Sequence, residues 1–128
     1  KCTAPNTLPL KTAEFINHHT LFIKTLRASP DRLIIGECRG REMATVLQAW
    51  NTGTKGGLAT IHANTARSAL MRVNDMALAS DIPSSPRLIV ESIGFVVSLT
   101  SHAKSGRRVN EVLQVLDYKD DDYVLHTC

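Results

Sequence analysis

Two short apolar runs flanking one amphipathic stretch constrain this chain more than any other feature. Leu33-Ile34-Ile35-Gly36 and Leu58-Ala59-Thr60-Ile61 are bounded by polar and glycine-rich segments. Continuous apolar runs this short read as strands buried on both faces, as in a parallel sheet. Between them Met43, Val46, Leu47 and Trp50 recur at i, i+3, i+4 and i+7. That spacing predicts a helix running to about Asn51, closed by Gly53 and the Gly56-Gly57 pair. Strand, helix and strand within roughly thirty residues make a right-handed βαβ unit with parallel strands.

The flanks fill in around that unit. Pro5 and Pro9 punctuate an irregular start, with a short strand around Leu8 and Leu10. Leu21, Phe22 and Leu26 give one apolar face to a helix from about His18 to Ser29, stopped by Pro30. A third helix is expected over about Thr65 to Ala79, with Leu70, Val73 and Ala77 inward and Asn64 as its N-cap. Pro86 suits the first turn of a short helix through Ile93. Phe95–Leu99, Arg108–Leu116 and Tyr123–His126 read as strands, with turns at Ser105-Gly106 and Asp120-Asp121-Asp122. They form an antiparallel meander closing an otherwise parallel sheet. The fold class is therefore α/β.

Composition excludes several classes. The 128 residues are 43% hydrophobic and 21% charged, which excludes wholesale disorder and gives one domain's worth of core. No apolar run approaches the ~18 residues a membrane span needs. The start has neither a signal-peptide pattern nor an initiator Met, and the chain is expected to be cut from something longer. A net charge of +3 with only 5% aromatics gives no nucleic-acid signature, so no direct nucleic-acid binding is expected. Cys2, Cys38 and Cys128 are odd in number and widely spaced, fitting reduced thiols in a cytoplasmic protein, with Cys38 as a small core residue.

Chemistry is expected at the carboxyl ends of the two parallel strands, the ligand edge of an open α/β sheet. Glu37 stands one residue past the first run, where an acid can reach a magnesium-bound phosphate or orient an attacking water. Gly36 beside it lets a backbone or ligand approach closely. His62 and Asn64 stand past the second run, where an imidazole can donate to a γ-phosphate. Arg39 is near enough to meet phosphate or pair with an acid. Arg27, Arg32, Arg41, Arg67 and Arg72 are further candidates. Each has a plainer reading: Glu37 as a solvated loop acid, His62 as a helix cap, the arginines as surface charges. No metal-spaced set of His, Cys and acids occurs, and Asp117 to Asp122 lacks the ligand order of a calcium loop.

Together these stretches are more specific than any one of them. Leu26 through Gly40, with Leu33-Ile34-Ile35-Gly36-Glu37-Cys38-Arg39-Gly40 at its centre, resembles the Walker B region of the type II/type IV secretion ATPases, most of all the conjugal-transfer ATPases of bacterial plasmids. Ala49-Trp50-Asn51-Thr52-Gly53 followed by Gly57 through Asn64 resembles their histidine box, and Gly106 to Leu113 their C-terminal strand pair. The resemblance implies part of a RecA-like P-loop NTPase core and a hexameric ring ATPase. Such a ring works with other secretion proteins on the cytoplasmic side of the bacterial inner membrane, powering type IV secretion or conjugal transfer. It implies ATP and Mg2+ as cofactors of the full-length protein, with Glu37 acting on water near the magnesium, His62 near the γ-phosphate, and Gly36, Arg39 and Asn64 on the phosphate or interface side.

The departures are as informative. No Gly-x-x-x-x-Gly-Lys-Ser/Thr segment (the Walker A loop) occurs, nor the family's acidic box. Thr54 replaces the first histidine of the box, and Arg41 stands where the family keeps a small residue. The 128 residues are therefore expected to bind no nucleotide tightly and to hydrolyse no ATP alone, with an exposed sheet edge driving self-association. The alternative is a truncated, non-catalytic remnant serving as an interaction module in a secretion complex.

Overall fold

The computed structural model describes residues 5–103 and 106–128. The chain divides into two compact units, Lys1–Pro30 and Asp31–Cys128. In the first, helix α1 spans His18–Leu26, and the Asn17 side chain accepts from the amide of Thr20 at 2.9 Å. The helix stops short of the expected Ser29 because Ser29 lies at φ 49°, outside the helical region, immediately before Pro30. Leu8 and Leu10 are exposed and in no strand, so the early strand expected there is absent.

The second unit carries the βαβ arrangement. Strand β1 (Ile34–Ile35) pairs in parallel with β2 (Leu58–Ala59), Ile34 opposite Leu58 and Ile35 opposite Ala59. Helix α2 (Glu42–Thr52) connects them and buries Met43, Val46 and Leu47 as its periodicity requires. The strands are not buried on both faces as expected. Leu33 is buried and Ile35 half-buried, but Ile34 and Leu58 are 56% and 65% exposed. Short runs hide this alternation, because two or three residues give too little period to read.

Gly57 precedes β2 where no side chain fits. A Cβ there would meet the Trp50 indole and the Leu33 carbonyl oxygen, the acceptor for the Leu58 amide at 3.2 Å. Helix α3 (Ala66–Leu78) follows with Leu70, Val73 and Ala77 buried. Its N-cap is Thr65, not the expected Asn64. The Thr65 hydroxyl accepts from the Ser68 amide, and Ser68 returns the bond to the Thr65 amide, a reciprocal capping box. Helix α4 (Pro86–Ser92) has Pro86 in its first turn, capped by Ser85. Its Ser92 hydroxyl donates to Leu47 O at 2.9 Å, fastening α4 to α2.

The meander is β3 (Phe95–His102), β4 (Gly106–Lys119) and β5 (Asp122–Thr127), paired antiparallel in that order. Among the described residues it forms its own three-stranded sheet and does not close the β1–β2 sheet. The β4–β5 turn places Asp120 and Asp121 both at positive φ, as a type I′ hairpin requires. Of the other expected turn, Ser105 lies outside the described residues and Gly106 opens β4 at φ 71°. The inner face of the meander, with Leu113, Val115 and Tyr123, packs with α3 and α4 to form the core. Its outer face leaves Phe95, Val97, Leu99 and Val109 exposed.

Candidate functional site

The site is built by an interruption of the β1–β2 ladder. With Ile34 opposite Leu58, a regular parallel ladder would bring the amide of residue 37 to the Thr60 carbonyl. The amide that donates there is that of Cys38, at 3.0 Å. One residue more than the ladder needs is thus accommodated between Ile35 and Cys38, which acts as a bulge and re-aims the side chains beside it. The Gly36 carbonyl is picked up by the Thr60 hydroxyl, so the acceptor freed by the bulge is not orphaned. Gly36 itself adopts no positive φ, and a Cβ on it would meet nothing within 4 Å. The chain's own packing does not demand glycine there; the space beside it is open.

Glu37 projects from this bulge with its two carboxylate oxygens divided between two partners. Arg39 Nη2 donates to Oε2 at 2.7 Å, and His62 Nε2 lies 3.2 Å from Oε1. The acid and the imidazole, from the ends of neighbouring parallel strands, are brought together. The Arg39 hydrogen bond holds the Glu37 carboxyl below the usual glutamate range, helped by the charge of Arg39 and of a protonated His62 and opposed by desolvation. The same contact raises Arg39. The Arg39 and His62 side chains are 77% and 86% exposed, against 27% for Glu37. Pairs this open contribute little to stability, so the arrangement leaves two solvent-facing donors around an ionised acid.

The other candidates are placed elsewhere. Asn64 is exposed in the loop before α3 and caps nothing. Thr54 is buried, and its hydroxyl donates to Ala49 O at 2.8 Å, closing the end of α2. Arg41 is the N-cap residue of α2 and makes no side-chain capping bond. Arg67 pairs with Asp122 at 2.5 Å, tying α3 to β5. Cys38 is a buried free thiol, pushed up to about 12 by burial and then by Glu42 and Glu37. Cys128 is free and exposed; Cys2 lies outside the described residues.

Two contributors escape a reading of the sequence. Thr60 was visible only as a strand residue. Glu42 Oε1 accepts from the amides of Arg39 (2.8 Å) and Gly40 (3.2 Å), fixing the loop that carries Arg39. Its signal was the three-residue spacing of a capping box, obscured because Arg39 is not serine or threonine.

The sequence profile of the family described as "Type II/IV secretion system protein" matches residues 6–124. The chain belongs to this family. Among its relatives, the conjugal transfer protein TrbB of Rhizobium radiobacter is 38% identical over 123 residues, covering 96% of this chain and 38% of the relative. A probable conjugal transfer protein TrbB of Sinorhizobium fredii is 35% identical over 127 residues, covering 99% and 39%. The chain thus spans under two-fifths of the length of these relatives. Among solved structures, the VirB11 ATPase from the Brucella suis type IV secretion system, crystallised with sulphate, superposes with a TM-score of 0.70. The match is at 24% identity and covers 77% of this chain and 32% of that one. This family member therefore has part of an ATPase fold. No helix among its described residues is long and apolar enough to cross a membrane.

Proposed function

We propose that this chain is the C-terminal part of a ring-forming ATPase that couples ATP hydrolysis to type IV secretion or conjugal DNA transfer. It supplies the water-orienting acid and a phosphate-sensing imidazole. The observation that carries the reading is the shared carboxylate of Glu37, with Arg39 on one oxygen and His62 3.2 Å from the other, at the ligand edge of two parallel strands. A carboxyl held below its usual range stays ionised at neutral pH and acts by accepting a hydrogen bond from the water it orients, since the same shift weakens it as a base. Arg39 keeps the carboxylate from rotating. His62, whose Nε2 faces Glu37 Oε1, exchanges that contact for a phosphoryl oxygen when one is bound and so senses its presence. Phosphoryl transfer depends mainly on such positioning and charge.

Magnesium-bound ATP supplies the polarised phosphoryl group when bound. The open space beside Gly36 suits a phosphate, with Gly36 and Asn64 on that side. No group of three His, Cys, Asp or Glu among the described residues could hold a metal ion. Glu37 is then a neighbour of the magnesium, and the phosphate grip comes from another segment of a longer chain. The full protein works as a homo-hexamer with other secretion components at the cytoplasmic face of the inner membrane, without contacting nucleic acid directly.

The 128 residues alone hydrolyse no ATP, because amides and a lysine to grip the β- and γ-phosphates are missing from the sequence. A turnover assay tests both statements. In a chain carrying an in-frame phosphate-binding loop, Glu37→Gln abolishes hydrolysis. Hydrolysis by the 128 residues that Glu37→Gln removes overturns the division of labour. Hydrolysis by the longer chain that survives Glu37→Gln overturns the role of the acid.

A further inference from the structure

We infer that Glu42 is a positioning residue: its carboxylate anchors the backbone of the loop between β1 and α2, and through Arg39 holds the plane of the Glu37 carboxylate so that one oxygen faces His62. The importance of that orientation rests on the function proposed above; the anchoring itself does not.

Glu42 is the first helical residue of α2. An acid there ordinarily acts on the helix's own unpaired amides and dipole. This one reaches backwards, out of the helix. Its Oε1 accepts from the amides of Arg39 and Gly40, two residues the helix does not contain. A Cβ on Gly40 would come within 3.3 Å of Glu42 Oε2, so the carboxylate lies closely over the loop and a bare α-carbon suits the seat beneath it. The N-cap residue Arg41 offers no side-chain cap, while the Met43 amide donates to Gly40 O at 3.1 Å and the Cys38 amide to Thr60 O at 3.0 Å on either side of the anchored pair.

The consequence passes through one residue. Fixing the Arg39 backbone, two positions from Glu37, aims its guanidinium at Glu37 Oε2. Oε1 is then left on the side of His62. Without the anchor, an arginine whose side chain is 77% exposed loses the hydrogen bond on its own amide. The carboxylate plane can then turn, and the contact with the imidazole is no longer held.

The test needs no nucleotide, so its failure and the failure of the ATPase reading are separable. Amide hydrogen exchange at Arg39 and Gly40, and the side-chain NH signals of Arg39, are recorded by NMR on the 128-residue chain. Glu42→Ala is expected to speed exchange at both amides about tenfold, as loss of one net hydrogen bond implies, and to collapse the Arg39 signals to those of a free guanidinium. Glu42→Gln keeps an acceptor oxygen at the same reach and is expected to restore both within about threefold. Glu42→Asp keeps the charge at the helix start but is one methylene short, so it should behave like Glu42→Ala in the loop while amides inside α2 stay protected. The opposite pattern, Asp like wild type and Gln like Ala, would mean that helix-end charge rather than anchoring matters, and overturns the inference. So does wild-type exchange in Glu42→Ala. If Glu42→Ala fails to fold, the Gln and Asp pair decides by itself.

Discussion

Gly57→Ala tests whether strand spacing sets the site. The new methyl carbon would lie 2.0 Å from Trp50 Nε1, 2.6 Å from Cε2 and 2.7 Å from the Leu33 carbonyl oxygen. The indole can swing aside; the carbonyl cannot move without parting β1 from β2, because it accepts the Leu58 amide. Overpacking and the loss of that ladder bond together cost about 2–4 kcal/mol. For a chain of this length that lowers the melting temperature by about 7–15 °C. Circular dichroism melts check it. Repeating the substitution in a Trp50→Ala background separates the two clashes: the indole's share disappears and the carbonyl's remains. A melting point within about 2 °C of wild type, or a cost that vanishes entirely once Trp50 is removed, would falsify the claim that Gly57 holds the strands at contact distance.

Three further outcomes follow from the same geometry. A carboxyl held low contributes its pairing above the unfolded value and loses it as pH falls through the lower folded value, so the Glu37 contacts persist into acid. A carbon-13 titration should place the Glu37 midpoint below the usual glutamate range and Arg39→Gln should raise it; no change with Arg39→Gln refutes the assignment of cause. Cys38, buried and pushed up to about 12, should resist alkylation at pH 8 in the folded chain while exposed Cys128 reacts; equal labelling rates would show that the loop opens freely. Leu70, with no exposed surface at the centre of α3, should cost about 2–5 kcal/mol on replacement by alanine in urea unfolding, and a loss under 1 kcal/mol would mean that α3 does not seal the core.

The helices were legible because their apolar residues recur over several turns: Met43, Val46 and Leu47 in α2, and Leu70, Val73 and Ala77 in α3, are buried as their spacing demands. Parallel pairing of the two apolar runs was legible from the helix between them. Burial of the strands was not, since Ile34 and Leu58 look like core residues in any window that short. The separation of the meander into its own sheet left no local mark, because pairing partners are chosen by tertiary packing. At the site, Glu37 and His62 stood out by position after the runs. The means of their meeting, an extra residue before Cys38 and a helix acid bent back onto a loop, depends on backbone bonds that residue types do not announce.

That extra residue sets order against use. Removing one position between Ile35 and Cys38 would let the ladder run on unbroken, with every rung in phase, an improvement by regularity alone. It would also change the parity of the strand, so that the acid and the imidazole no longer share an aspect of the sheet. A shorter, tidier version of this segment should fold at least as well and have no pair to offer a ligand.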